Sequence, residues 1–228
     1  MTIHDSVIKI QQRIVETAQL YQRPIQDLKI LAVSKGQSAA AIKEAYLAGI
    51  SDFGENYYQE AQKKIIILKN LTLCWHFIGP IQSNKVQGIA HDFSWVHSVN
   101  REKIAELLAI HRPEHLPPLN LCLQVNLDNE VSKSGIPPKN LPQLAQFVSQ
   151  LPNLRLRGLM AIPMPQQGEQ QQYESLLRLT DLFHQLNTDL NVSMDTLSMG
   201  MSDDLVAAIR AGSTIVRIGR AIFGERGV

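Results

Sequence analysis

Short apolar runs alternate with longer amphipathic segments from one end of the chain to the other, and this alternation limits the possible folds more than any single motif. The opening stretch from Ile3 to about Tyr21 sets Ile3, Val7, Ile10, Ile14, Val15 and Ala18 at helical spacing, and Pro24 stops it. Leu28 to Ser34 (LKILAVS) reads as a buried strand, and Ser38 is placed to cap a following Ala-rich helix that ends at Gly49. The pattern then repeats. Strands are predicted over 52–55, 73–78, 93–99, 119–126, 154–162, 196–199 and 214–218. The helices between them fall over 57–69, 84–90, 101–110, 140–150, 169–186 and 203–211. Strand and helix in strict alternation imply parallel strands with crossover helices. Eight strands are what closure into a (β/α)8 barrel of the TIM type requires. An open doubly wound sheet uses fewer strands and is the competing architecture. No linker or change of composition marks a second domain, so residues 1–228 are expected to form one unit.

The chain has 228 residues, a length that single α/β barrels reach. Lys and Arg number 22 against 21 Asp and Glu, a formal net charge of +1. That balance gives no electrostatic basis for binding nucleic acid or an anionic membrane. The start lacks the basic and apolar regions of a signal peptide, and no apolar run is long enough to span a bilayer. A cytoplasmic protein is expected. Cys74 and Cys122 sit in apolar runs and read as buried, reduced thiols in strands.

In a barrel of parallel strands, reactive groups gather where strands end and loops begin. Lys35 follows LAVS at the end of the first strand, where a desolvated amine can condense with an aldehyde; a solvated strand-end lysine would look the same in sequence. Ser198-Met199-Gly200-Met201-Ser202-Asp203-Asp204 joins the seventh strand to a helix, and Arg217-Ile218-Gly219-Arg220 leads out of the eighth. Two such turns with hydroxyls and glycines can cradle an anion, and barrels often bind a phosphate at these last two loops.

The segments AVSKG (32–36), FGENY (53–57), HFIGPIQSNK (76–85), VSKSG (131–135), GLMAI (158–162), LSMGMSDD (197–204) and RIGRAIFG (217–224) closely resemble the pyridoxal phosphate homeostasis protein family, in order and over nearly the whole chain. That family resembles the barrel half of alanine racemases. The resemblance implies a cofactor, pyridoxal 5′-phosphate, and a role in vitamin B6 balance without established turnover. It implies that Lys35 is the Schiff-base lysine and that Ser198, Ser202, Gly219 and Arg220 bind the phosphate, partly through backbone N–H groups. It also implies that Arg217 faces the pyridine nitrogen and that Asn56 and His76 line the cavity. Two departures from the family stand out. Gly36 replaces a bulkier polar residue, so the turn after Lys35 is expected to be looser. Arg220 replaces a small residue, and its side chain either adds a contact or points away.

The family reading makes the protein a monomeric carrier that can hand its cofactor to apo-enzymes. A racemase or decarboxylase using the same Schiff base is the alternative, and a cofactor-free aldolase-like barrel using Lys35 is another. Only about ten residues follow the last strand, too few for the domain that brings alanine racemases their second acid/base; Tyr57 is expected to pack against a helix instead. His111 and His115 have a metal-like spacing, but they flank Pro113 in a polar stretch and read as solvated. The run Gln166 to Gln172 reads as an exposed loop and helix start.

Overall fold

The computed structural model describes residues 2–128 and 134–224. Helix α1 (Ile3–Leu20) leads, capped by Thr2, whose hydroxyl accepts from the Asp5 amide while the Asp5 carboxylate accepts from the Thr2 amide. Eight strands follow: β1 (Lys29–Val33), β2 (Asp52–Glu55), β3 (Cys74–Phe77), β4 (Trp95–Val99), β5 (Leu119–Val125), β6 (Leu154–Ala161), β7 (Thr196–Ser198) and β8 (Ile215–Ile218). They alternate with α2 (Ala39–Leu47), α3 (Tyr58–Ile67), α4 (Val86–Asp92), α5 (Glu102–His111), α6 (Leu141–Ser149), α7 (Glu169–Asp189) and α8 (Leu205–Arg210), and α9 (Arg220–Phe223) comes last. Ser38 caps α2, accepting from the Ala41 amide, and Gly49 turns the chain beyond it at φ 101°.

Each strand is parallel to the next, and β8 returns to β1, pairing Lys29 with Ile215 and Ala32 with Ile218. That last pairing closes the barrel and excludes the open sheet. The short α9 has no counterpart in the sequence reading, because four residues carry no usable period. Among the described residues, no helix is long and apolar enough to cross a membrane.

Period-two alternation in the strands divides the interior into two layers. Phe53, Phe77, Val96, Leu121, Leu123, Leu197, Val216 and Ile218 belong to the large core packed with the helices. Burying side chains of this size stabilises the fold by about 1.5–3 kcal/mol each. Residues of the opposite parity make the barrel's own interior, and much of it is polar. Trp95, Cys122 and Met160 form a small apolar cluster there. Beside it runs a hydrogen-bonded chain. The Lys29 ammonium donates to Asp52 Oδ1 at 2.8 Å, and His76 Nε2 lies 2.9 Å from the same oxygen. His76 Nδ1 is 2.9 Å from His97 Nε2, and His97 Nδ1 is 2.8 Å from Ser198 Oγ. Arg217 Nη1 donates to Ser198 Oγ at 3.0 Å.

One pattern of hydrogens satisfies this chain. An ionised carboxylate only accepts, so His76 carries its proton on Nε2 and accepts at Nδ1. His97 then donates from Nε2 and accepts the Ser198 hydroxyl at Nδ1, which leaves Ser198 Oγ to accept from Arg217. Burial opposes the charge on Asp52, but His76 and Lys29 together hold its carboxyl well below the usual carboxylate range. Both histidines are fully buried, and that burial lowers their pKa, in His97 well below the ordinary histidine value with His76 and Arg217 adding to the effect.

Because the folded-state histidine values lie below the unfolded value of about 6.5, neither ring binds a proton in either state above that pH. Below it the unfolded chain gains protons that the folded one refuses, so stability falls with pH. The loss approaches about 1.4 kcal/mol per histidine per pH unit. At about 2–4 °C per kcal/mol for a chain of this size, Tm should drop by several degrees between pH 7 and pH 5. A Tm that stays level over that range, measured by circular dichroism, would contradict neutral, buried histidines.

Candidate functional site

The carboxyl ends of β1, β2, β3, β6, β7 and β8 and the loops after them surround a cavity of about 490 Å³. Lys35, Asn56, Ser202, Arg217, Gly219 and Arg220 all line it, brought from the first loops and the last two by closure of the barrel. Val33, Ile78, Met160, Ile162 and Met201 give it apolar walls.

Lys35 is half-buried and stands two residues beyond Val33, which shares the cavity wall. The turn after it is held in place: Gly36 has φ 75°, a left-handed conformation that suits glycine, and its amide donates to Glu60 Oε1 at 2.6 Å. The looser turn expected from Gly36 is therefore not what the structure has. Lys64 on α3, also buried, donates to the Ser34 carbonyl and to Glu55 and Glu60.

Arg217 is 5% exposed. Its Nη1 donates to the carbonyl and hydroxyl oxygens of Ser198, and its Nη2 to the Ala161 carbonyl at 3.0 Å. Burial lowers its guanidinium to about 10, so it keeps its positive charge at neutral pH. The Ser202 carbonyl accepts from Arg13 of α1, the Met201 amide donates to Asp204 Oδ1 at 2.6 Å, and the Arg217 amide donates to the Gly200 carbonyl. Gly200 takes φ 90°, and a methyl there would overlap the Cβ of Ala208. These contacts order the turn that presents Ser202. The Arg220 side chain lies at the rim in an exposed ion pair with Asp203 at 3.0 Å, which joins the seventh and eighth loops.

His76 and Ser198 do not line the cavity. Both face the barrel interior with no exposed surface, as links in the chain that ends on Arg217. Strand parity does not separate them from it, since Arg217 and Met160 share that inward face and line the cavity; the Ser198 side chain is taken up by His97 and Arg217, and of the two serines Ser202, in the loop beyond β7, reaches the cavity. No sequence motif assigns Asp52, His97, Glu55, Glu60 or Lys64 to these buried networks. His97 has one sequence signal: it falls two residues beyond Trp95, the register partner of His76, and so shares the inward face of the neighbouring strand. Tyr57 is 61% exposed rather than packed against a helix.

Of the two cysteines, Cys122 is buried and Cys74 only partly so; both are free thiols. Burial pushes them up to about 12 and about 11, which keeps both protonated and poor nucleophiles at neutral pH. Asp52, Cys74 and His76 offer three ligand atoms within 4.8 Å of one another, the one such group among the described residues, and it does not include His111 or His115. The Lys29 ammonium on Asp52 already supplies the positive charge that a metal ion would bring. Of the VSKSG segment, residues 131–133 lie outside the described residues.

Among the described residues, the cavity therefore offers the Lys35 amine, the fixed Arg217 cation, the Ser202 hydroxyl and backbone groups around a half-apolar space. This suits a flat, anionic molecule carrying an aldehyde. Comparison with known proteins agrees in kind. Residues 9–227 match the family model described as alanine racemase, N-terminal domain. The pyridoxal phosphate homeostasis protein of Pseudomonas aeruginosa is 56% identical over 225 residues, covering 99% of this chain and 96% of that one. PipY of Synechococcus elongatus, solved with PLP bound, is 36% identical with a TM-score of 0.82 over 92% of this chain and 100% of that one. Alanine racemase from Corynebacterium glutamicum, at 12% identity, shares the fold with a TM-score of 0.71 over 99% of this chain and 63% of its own. The chain belongs to the alanine racemase N-terminal domain family and, within it, to the pyridoxal phosphate homeostasis proteins.

Proposed function

We propose that this protein is a single barrel domain over residues 1–228 that holds pyridoxal 5′-phosphate in the cavity at the carboxyl ends of its strands, for vitamin B6 balance rather than for turnover. The observation that carries this reading is the convergence of Lys35, Arg217, Ser202 and Gly219 on one cavity. The cofactor supplies an aldehyde that condenses with a primary amine and a ring that can accept electrons. Lys35 bonds that aldehyde as a Schiff base. Ser202, with the backbone of Gly219 and Arg220, holds the phosphate, and Arg217 faces the ring nitrogen as a fixed cation. Asn56 lines the wall. His76 and Ser198 act from behind, keeping Arg217 in place. The neighbouring PipY structure with PLP bound and the names of the curated relatives support the cofactor. The protein acts as a monomer in the cytoplasm, where free thiols such as Cys74 and Cys122 persist, and passes its cofactor to apo-enzymes.

The carrier reading also draws on what the cavity contains. Among the described residues that line it there is no Tyr, His or Cys, and the one carboxylate, Asp203, is paired with Arg220 at the rim. Racemisation needs a proton donor and acceptor on both faces of the ring, each within hydrogen-bond reach. Lys35 serves one face only.

Borohydride reduction of the loaded protein followed by peptide mass mapping should put the cofactor on Lys35; a major adduct on another lysine would refute the assignment. Ser202→Ala removes a hydrogen bond to a charged group worth about 1.5–3 kcal/mol, so affinity for pyridoxal 5′-phosphate should fall about tenfold or more. Affinity for unphosphorylated pyridoxal should barely move, and equal weakening of both ligands would count against this phosphate site. Incubation of the loaded protein with L-alanine and other amino acids should yield no sustained D-isomer by chiral chromatography. Multiple turnover that vanishes in Lys35→Ala would make the protein an enzyme.

A further inference from the structure

Lys35 is flanked on both sides by a cluster of charges that the binding contacts leave unused. Lys64 is buried in α3, and its ammonium donates to Glu55 Oε1 at 2.7 Å, Glu60 Oε1 at 2.6 Å and the Ser34 carbonyl at 2.7 Å. The Ser34 hydroxyl donates to the same Glu55 oxygen at 2.6 Å. Glu60 Oε1 in turn accepts the Gly36 amide. The carbonyl of Ser34 belongs to the peptide that enters Lys35, and the amide of Gly36 to the peptide that leaves it. One cluster therefore holds both peptides of a single residue. None of Glu55, Glu60 or Lys64 lines the cavity. They lie outside the barrel wall, between β2 and α3.

Stability alone is a poor reason for such a cluster. Burying an ammonium against two carboxylates removes hydration that the pairing repays only in part, and apolar residues of similar size fill such a space at less cost. Glu55 Oε2 is buried without a hydrogen-bond partner, a further sign that the group is not arranged for stability. Position is what the geometry supplies. The Lys64 contact fixes the orientation of the first peptide, and the left-handed Gly36 turns the second toward Glu60.

We propose that Glu55, Glu60 and Lys64 are positioning residues that clamp the backbone of Lys35, so that its Nζ meets an aldehyde in the cavity at one place and angle. The proposal rests on the reading of Lys35 as the residue that bonds the cofactor. In that reaction the neutral amine attacks the aldehyde carbon, the nitrogen gives up both its protons, and the aldehyde oxygen leaves as water while C=N replaces C=O. No oxidant or reductant takes part. The rate depends on how well the amine is held within reach of the carbon, and a misplacement of about 1 Å can cost about 100-fold. Phosphate contacts at the β7 and β8 turns lie on other elements and do not depend on the clamp.

The test uses full-length Lys64→Met and Glu60→Ala with two ligands. Pyridoxal 5′-phosphate can condense with an amine; pyridoxine 5′-phosphate, with an alcohol in place of the aldehyde, cannot. In both variants the borohydride-trapped adduct on Lys35 should form at least about tenfold more slowly than in the parent. The Kd for pyridoxine 5′-phosphate should stay within about twofold, a change of roughly 0.4 kcal/mol. Amide hydrogen exchange at Gly36, measured without ligand, should speed up in Glu60→Ala. Glu60→Gln, which keeps an acceptor oxygen for that amide, should restore both the trapping rate and the protection. Unchanged trapping and unchanged Gly36 exchange would overturn the clamp, and so would equal weakening of both ligands, which marks a general structural role. If burial of the uncompensated Glu55 carboxylate prevents Lys64→Met from folding, Glu60→Ala decides the matter, because the Glu60 side chain is 32% exposed. If the parent itself forms no adduct on Lys35, the binding reading fails, and the ligand-free exchange comparison still tests the clamp.

Discussion

Hydrogen bonding between β1 and β8 is the contact on which the site depends, because it joins the two ends of the chain. Lys35 follows the first strand, Arg217 belongs to the last, and Gly219 and Arg220 follow it; without the pairing of Leu31 with Arg217 and Ala32 with Ile218 they would have no reason to meet. A parallel pairing between strands so distant in sequence costs loop-closure entropy that only the completed ring of strands offsets. The cavity is thus a property of the closed barrel, and no fragment of the chain contains it.

The two faces of each strand divide the work. Inward residues carry charge and hydrogen bonds through the middle of the barrel, from Lys29 and Asp52 to Arg217. Outward residues are mostly apolar and pack the helices. Glu55 departs from this, an outward position of β2 that takes an ionic partner from α3. Both polar departures converge on the same place: one ends on Arg217, and the other surrounds the residue before and the residue after Lys35. Among the described residues, Arg112 is a buried charge outside these two groups, bound to backbone carbonyls of Ala90 and Phe93; within the two groups, orientation matters more than the stability it costs.

Much of this could be read from the residues in order. The eight strands came from apolar runs of the right length, and even the four-residue β2 and three-residue β7 lay where turn signals bounded them. Strand-end turns single out Lys35, Ser202, Arg217, Gly219 and Arg220, and the family resemblance adds Asn56; all six line one cavity. What a motif does not carry is whether an inward side chain is free to meet a ligand: His76 and Ser198 share the inward face with Arg217, but both are fully buried and occupied by the interior hydrogen-bonded chain. Glu55 sat inside a recognised motif and Lys64 in an unremarkable helix, and nothing in their spacing announces that α3 folds back over the end of β1.

The interior chain has a consequence for how such a protein can change over generations. Each link donates in one direction, from Arg217 through Ser198, His97 and His76 to Asp52. A substitution that reverses one link sets donor against donor or acceptor against acceptor at the next, among side chains that are buried. The cost of altering one member is therefore set by the others, and energies along the chain do not add. Descendants of this sequence can exchange surface residues one at a time, but the histidine pair and its neighbours must be replaced together or kept.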